Sequence, residues 1–124
     1  MNFTGISDCE LLVMKCLWNA GQPISVHVLI AELEKLYGKK YKETTVYTFL
    51  SNLKKKMYVD SYKKGASYFY PLISELDYVR QYAQIMRTFW GEESLKVLVE
   101  TMLSPDGDSN EKSEQIEELP VHGN

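Results

Sequence analysis

Two short runs of β-branched and aromatic residues lie in the middle of the chain, on either side of a lysine-rich turn. The runs are residues 58–62 and 67–71, and the turn is Lys63-Lys64-Gly65-Ala66. Such runs around a glycine are typical of a β-hairpin. Three helical patterns precede it. That order predicts a winged helix-turn-helix, whose third helix enters a major groove and whose hairpin, the wing, lies beside a phosphate backbone.

The ends of the first two helices are marked by capping residues. Ser7 and Glu10 form a capping box before an apolar run that ends near Gly21. Ser25 caps a second helix, which stops at Gly38. The first helix is apolar almost all round, so we expect it to be buried on several sides, whereas the second has one apolar stripe.

The third helix is predicted from about residue 43 to residue 56 and has two unlike faces. Its apolar stripe follows the spacing i, i+3, i+4 and i+7 and consists of Val46, Phe49, Leu50 and Leu53. The opposite face has small hydrogen-bonding groups and a cation: Thr44, Thr48, Ser51, Asn52 and Lys55. A face without acids favours close approach to anionic DNA. The alternative is an ordinary solvent-exposed face.

The charge of the chain is unevenly distributed. The formal net charge is −3, yet residues 39–64 hold eight lysines against two acids, and residues 92–118 hold nine acids against two lysines. A basic stretch within an acidic protein favours a face that binds a polyanion, although a solvated surface has the same composition.

The segment after the hairpin is helical and too apolar for a short appendage. Residues 74–103 carry an apolar band that is interrupted at Gly91. The rest of this short segment is too small to cover the band. Such a band favours a two-fold dimer, the alternative being that it folds back on its own domain. The predicted domains are therefore a DNA-binding domain (1–73), a helical dimerisation region (74–103) and an acidic tail (104–124). The tail either forms a brief helix or is disordered.

Several other classes of protein are not predicted. No apolar run reaches the roughly 18 residues of a membrane span, and the N-terminus lacks a secretion signal, which favours a cytoplasmic chain. Cys9 and Cys16 are seven residues apart on one helix, too far for a disulfide, so both are expected to pack, the alternative being a redox sensor. We find no metal cluster, phosphate-binding glycine loop or nucleophile with a nearby base, and predict neither a cofactor nor an enzyme.

Three groups of residues resemble the motifs of one known family. The first helix contributes Ile6-Ser7-Asp8-Cys9-Glu10, Val13-Met14 and Leu17-Trp18. The third helix contributes Thr44-Thr45-Val46-Tyr47-Thr48-Phe49-Leu50, Leu53 and Lys55-Lys56. The wing and the following helix contribute Lys64-Gly65, Tyr70-Pro71-Leu72-Ile73-Ser74 and Tyr78. Over roughly residues 6–103 the chain thus resembles the penicillinase and methicillin-resistance repressors. The resemblance implies a homodimer that blocks transcription from a palindromic operator until a signal removes it.

The chain departs from this family at positions that bear on DNA sequence preference. Asn52 stands where the family usually has Arg, Ala66 where the wing often has Arg, and Met57 where a Gly is usual. Because Arg is the commonest reader of guanine, the resemblance predicts DNA binding with a different site preference.

The residues linked to induction in the family are also absent. In the antibiotic-responsive branch a membrane sensor leads to cleavage between Asn and Phe, and that bond aligns near Thr101-Met102 here. The copper-responsive branch has a cysteine-rich end, whereas residues 104–124 contain no cysteine. A sensor protease or another inducer is therefore left open.

The predicted contacts fall into three sets. Base edges are assigned to Thr44, Thr45, Thr48, Ser51 and Asn52. DNA phosphates are assigned to Lys40, Lys42, Lys55, Lys63 and Lys64. The dimer interface is assigned to Val79, Met86, Phe89, Leu95, Leu98 and Met102. The predicted function is a sequence-specific repressor that binds double-stranded DNA as a homodimer. The rival hypothesis is a winged-helix module that binds a protein through its apolar C-terminal band.

Overall fold

The computed structural model describes residues 3–105, which contain five helices and a small three-stranded antiparallel sheet. In chain order the elements are α1 (Asp8–Ala20), β1 (Ile24–Ser25), α2 (Val26–Tyr37), α3 (Glu43–Lys55), β2 (Val59–Lys64), β3 (Ala66–Pro71), α4 (Glu75–Phe89) and α5 (Glu92–Leu103). This order confirms the predicted fold class, a mainly α winged helix-turn-helix with a small hairpin, followed by C-terminal helices. Most of the predicted acidic tail lies outside the described residues.

The predicted caps set the ends of α1 and α2. The Ser7 hydroxyl accepts a hydrogen bond from the Glu10 amide at 3.2 Å, and the Glu10 carboxylate accepts one from the Ser7 amide at 3.0 Å. The Ser25 hydroxyl accepts one from the Val28 amide at 3.4 Å. At the other end of α1, Gly21 has the left-handed φ of 68°. Because these are local signals, they could be found in the sequence.

A third strand, which the sequence analysis did not predict, completes the sheet. The order is β1-β3-β2, with Ile24 opposite Phe69 and Ser25 opposite Tyr68. Since β1 has only two residues and Ser25 also caps α2, the segment shows no alternating pattern of its own. The pairing with β3 depends on contacts that are distant in sequence.

The core lies between the first three helices and one face of the sheet. Its fully buried side chains include Met14, Leu17, Leu29, Leu33, Leu50, Leu53 and Val59. The start of α4 is attached to this core. The Trp18 indole donates to the Ile73 carbonyl at 2.9 Å, Lys15 pairs with Glu75, and Tyr78 is buried beside Trp18.

The chain divides into two compact units within α4. The first unit ends at Tyr82 and the second begins at Ala83. In the second unit α5 has no buried residue, and Val97, Met102 and Leu103 are more than half exposed, at 57%, 72% and 76%. None of the helices in residues 3–105 combines the length and apolar character that would let it cross a membrane.

Candidate nucleic-acid interface

The outer face of α3 is polar and exposed along its length. Val46, Leu50 and Leu53 are buried on the inner face. The exposed positions between them recur every three or four residues and are Thr44, Tyr47, Thr48, Ser51, Lys54 and Lys55. No acid occurs between Thr44 and Lys55. The face therefore offers hydrogen-bonding groups and positive charge without a carboxylate that would repel phosphate.

The predicted base-contacting residues are not equally accessible. Thr44, Thr48 and Ser51 are exposed, whereas Thr45 and Asn52 are half-buried at the edge of the face. The Thr48 hydroxyl donates to the Thr44 carbonyl at 3.0 Å within the helix. Its oxygen can still accept a hydrogen bond, since a hydroxyl has two lone pairs.

Tyr47 lies in the middle of this face, although it was not among the predicted contacts. Its side chain is 42% exposed, and its ring meets Phe69 of β3 edge to face, with centroids 6.2 Å apart. The spacing alone could have identified it, because Tyr47 is three residues after Thr44 and four before Ser51. It was missed because the predicted set consisted of small polar side chains and a lysine, and Tyr47 is aromatic.

The end of α3 is held against α1 by a buried carboxylate. Glu10 is only 4% exposed, and its carboxylate accepts a hydrogen bond from Lys56 Nζ at 2.8 Å as well as from the Ser7 amide. Burial raises the pKa of Glu10, but hydrogen bonds from Lys56, Ser7 and Asn52, together with the Lys56 charge, lower this pKa below its usual value. The carboxylate thus stays ionised and holds the last turn of α3.

The lysines of the basic stretch separate into two groups. Within residues 3–105, Lys42, Lys55, Lys63 and Lys64 make no ion pair, and Lys40 lies 4.0 Å from Glu34 in an exposed pair. Lys54 donates to the Ser61 hydroxyl at 2.8 Å, and Lys56 pairs with Glu10. The five lysines predicted to contact phosphates are thus all unpaired or loosely paired. Lys39, which is half-buried and was not predicted, also makes no ion pair among the described residues.

The two wing lysines leave the hairpin on opposite faces. Lys63 is on the face that includes Val59 and Ser61, because side chains alternate along a strand. This face is directed toward α3, since Ser61 accepts from Lys54 and lies opposite Phe69. Lys64 is instead on the face of Tyr62, which stacks on Tyr68 at a centroid distance of 5.7 Å.

The residues predicted to form a dimer interface are exposed with two exceptions. Val79, Phe89, Leu98 and Met102 are exposed at 50%, 51%, 36% and 72%. Leu95 is half-buried, and Met86 is already buried in the single chain. Met86 therefore has little surface left for a partner, a difference that the helical period could not reveal.

The part of the chain that the structure describes contains no cluster of His, Cys, Asp and Glu suited to a metal ion. Cys9 and Cys16 are free thiols. Burial raises the pKa of the Cys16 thiol to about 11, and Cys9 accepts a hydrogen bond from the Tyr41 hydroxyl at 3.2 Å. At neutral pH the buried Cys16 is therefore a protonated, unreactive thiol.

The chain is similar to one protein family and to several solved structures. The model of the penicillinase repressor family matches residues 6–120. The solution structure of the DNA-binding domain of the repressor BlaI is 36% identical, covers 59% of this chain and 87% of its own, and gives a TM-score of 0.49. No match was found among curated proteins.

Two further solved structures share the fold over nearly the whole chain. A complex structure of hsRosR-S4 is 14% identical, covers 98% of this chain and 95% of its own, and has a TM-score of 0.59. A structure of H. salinarum RosR, grown from NaBr, is 15% identical in sequence. The match covers 98% of this chain and 98% of that one, with a TM-score of 0.52. The resemblance noted in the sequence is confirmed by the family match. The chain therefore belongs to the penicillinase repressor family, a family of DNA-binding transcriptional regulators.

Proposed function

We propose that the protein is a repressor that binds a palindromic operator in double-stranded DNA as a homodimer. The observation that carries the proposal is the exposed face of α3, which is free of acids from Thr44 to Lys55 and is accompanied by lysines without ion pairs among the described residues. A helix with this composition in a winged helix-turn-helix suits the major groove, where small polar side chains approach base edges.

Base reading is assigned to the outer face of α3. Thr44, Thr48 and Ser51 are its exposed polar members, and Thr45 and Asn52 lie at its half-buried edge. We add Tyr47, whose hydroxyl can donate to a base and whose ring can contact a thymine methyl group. Because Asn52 is not an arginine, the preferred site should differ from one read by guanine-binding Arg.

Phosphate binding is assigned to the exposed lysines of the basic stretch that are unpaired or loosely paired. They are Lys40, Lys42, Lys55, Lys63 and Lys64. Lys42 precedes α3 and Lys55 ends it, so these two ammonium groups flank the reading face, while Lys63 and Lys64 extend it onto the wing. Such contacts fix the position of a protein on the duplex but carry little sequence information.

Dimer formation is assigned to the exposed apolar residues of α4 and α5. Val79, Phe89, Leu98 and Met102 expose large apolar surfaces that water does not favour. The half-buried Leu95 and the buried Met86 complete the predicted set. A two-fold dimer presents the same α3 face twice, which matches an inverted repeat with half-sites about one helical turn apart.

The proposal is tested by selecting bound duplexes from a random DNA library with the purified protein at moderate salt. We expect enrichment of an inverted repeat. In parallel, a variant with Thr44→Ala and Ser51→Ala should enrich no common sequence, although its lysines still retain DNA. Recovery of unrelated sequences by the wild type, lost as salt rises, would refute specific recognition. That outcome would favour the protein-interaction module, which the exposed apolar residues of α5 also suit.

A further inference from the structure

Glu10 is the one charged side chain that is buried within residues 3–105. Its place in the capping box explains only its bond to the Ser7 amide, 3.0 Å long. One more group reaches the same carboxylate from the end of α3: Lys56 Nζ, at 2.8 Å. A capping carboxylate does not need this partner, so the pair calls for a separate explanation.

The Lys56–Glu10 pair differs from the other ion pairs of the basic stretch. The Glu10 side chain is 5% exposed and that of Lys56 is 38% exposed, whereas both members of the Lys40–Glu34 pair are more than half exposed. The Lys56 ammonium is thus drawn inward to a buried anion. Its neighbour Lys55, one residue earlier, is exposed and has no ion pair within the described residues.

We propose that Glu10 is a positioning residue of the DNA-binding surface, which holds Lys56 against α1 and keeps the Lys56 charge off the DNA. The inference rests on the proposed function. A lysine free to contact phosphate strengthens binding to every sequence equally. By neutralising Lys56, Glu10 limits this sequence-independent attraction and leaves recognition to the exposed face of α3.

The test is the dependence of DNA binding on salt, measured with the full chain. In Glu10→Gln the amide keeps the capping bond, because Gln also serves in a capping box. Lys56 loses its anionic partner and becomes free to contact phosphate. We expect the slope of log K against log salt to become steeper by about 0.9, and binding of a scrambled duplex to tighten by about eightfold near 0.1 M salt. A second change, Lys56→Gln in the same chain, should restore the wild-type slope.

Asp77→Asn is the matched control. It also removes one carboxylate that pairs with a cation, since Asp77 lies 2.8 Å from Arg80, but both are exposed on α4. We expect no steeper slope in this variant. If Glu10 had only a structural role, Glu10→Gln would weaken operator binding and would not steepen the slope. That result would overturn the inference.

Two neighbouring lysines provide a test that does not depend on the folding of Glu10→Gln. Lys56→Gln keeps a donor for Glu10 and should leave the wild-type slope unchanged, whereas Lys55→Gln should make it shallower by about 0.9. Equal losses in both variants would show that Lys56 already contacts DNA and would contradict the inference alone. A wild-type chain that does not bind DNA would overturn the proposed function and this inference with it.

Discussion

Met57 has the backbone conformation that glycine favours. Its φ is 68°, in the left-handed region, and it directly follows Lys56, the C-cap residue of α3. The Met57 amide donates to the Lys54 carbonyl at 3.0 Å and the Tyr58 amide donates to the Leu53 carbonyl at 2.9 Å, which is the bonding pattern of a Schellman motif. Because the side chain is 72% exposed, little packing offsets the strain.

We therefore expect Met57→Gly to stabilise the protein. Left-handed backbone costs a non-glycine residue about 1–2 kcal/mol, which Met57→Gly would remove. The extra freedom of glycine in the unfolded chain offsets about 0.4–1 kcal/mol of this gain. The free energy of unfolding should rise by about 0.5–1 kcal/mol in urea titrations. Met57→Ala retains Cβ and should change it little. A Met57→Gly variant that is no more stable than Met57→Ala would show that the cap is unstrained.

The buried Glu10 predicts a pH dependence of stability. Its pKa in the folded protein is lowered from 4.5, because the effects of Lys56, Ser7 and Asn52 outweigh that of burial. The folded state therefore binds this proton more weakly than the unfolded chain does. The carboxylate's stabilising contribution is complete above pH 4.5 and is lost as the pH falls below 4.5 through the folded pKa.

Comparing the wild type with Glu10→Gln by urea titration tests this prediction. The wild type should exceed the variant in free energy of unfolding at about pH 7, and the difference should shrink by about pH 3. A difference that is constant over this range would contradict the assigned pKa direction.

Individual residues of the site could be predicted where the helical period decides their face. Thr44, Thr48 and Ser51 follow that period and are exposed. Asn52 lies at the half-buried boundary of the two faces, and the next turn is held through Lys56 by Glu10, which is distant in sequence. No local pattern carries that information.

At the scale of elements, helix ends and turns could be predicted from neighbouring residues, whereas the pairing of distant strands could not. The caps at Ser7 and Ser25 and the turn at Gly65 are encoded by neighbouring residues, and they define the helices and the hairpin. Strand β1 could not be predicted, because two residues carry no period and their partner β3 is distant in the chain. Likewise, both wing lysines were predicted from the sequence, but their positions on opposite faces of the hairpin were not.

The wing supplies a prediction of its own. Since Lys63 and Lys64 leave opposite faces of the hairpin, they should contact different phosphates and act independently. Each change to Gln should lower the salt slope by about 0.9, and the double change by about 1.8. Lys96→Gln, on α5, is the control and should leave the slope unaltered. A double variant no shallower than one single variant would mean that only one lysine contacts DNA.

At the scale of the whole molecule, the exposed apolar residues of α4 and α5 predict assembly. Met102 is 72% exposed, so a charge at this position should not disturb the single chain. In a dimer it would be buried. We expect Met102→Glu to raise the dissociation constant of the dimer by about 100-fold or more, measured by sedimentation.

Lys96→Glu places a new acid on an exposed polar position of the same helix and serves as the control. It should leave the dimer intact. If Met102→Glu sediments as the wild type does, α5 is not the interface that we propose.

The central claim is that the exposed face of α3 reads base sequence. It is tested most directly by the ratio of dissociation constants for the selected inverted repeat and a scrambled duplex of the same composition, at one salt concentration. The account predicts a wild-type preference of about 1,000-fold or more. It also predicts that Thr44→Ala with Ser51→Ala reduces the preference at least about tenfold, with unchanged affinity for the scrambled duplex. A preference that both substitutions leave at its wild-type value would contradict the account.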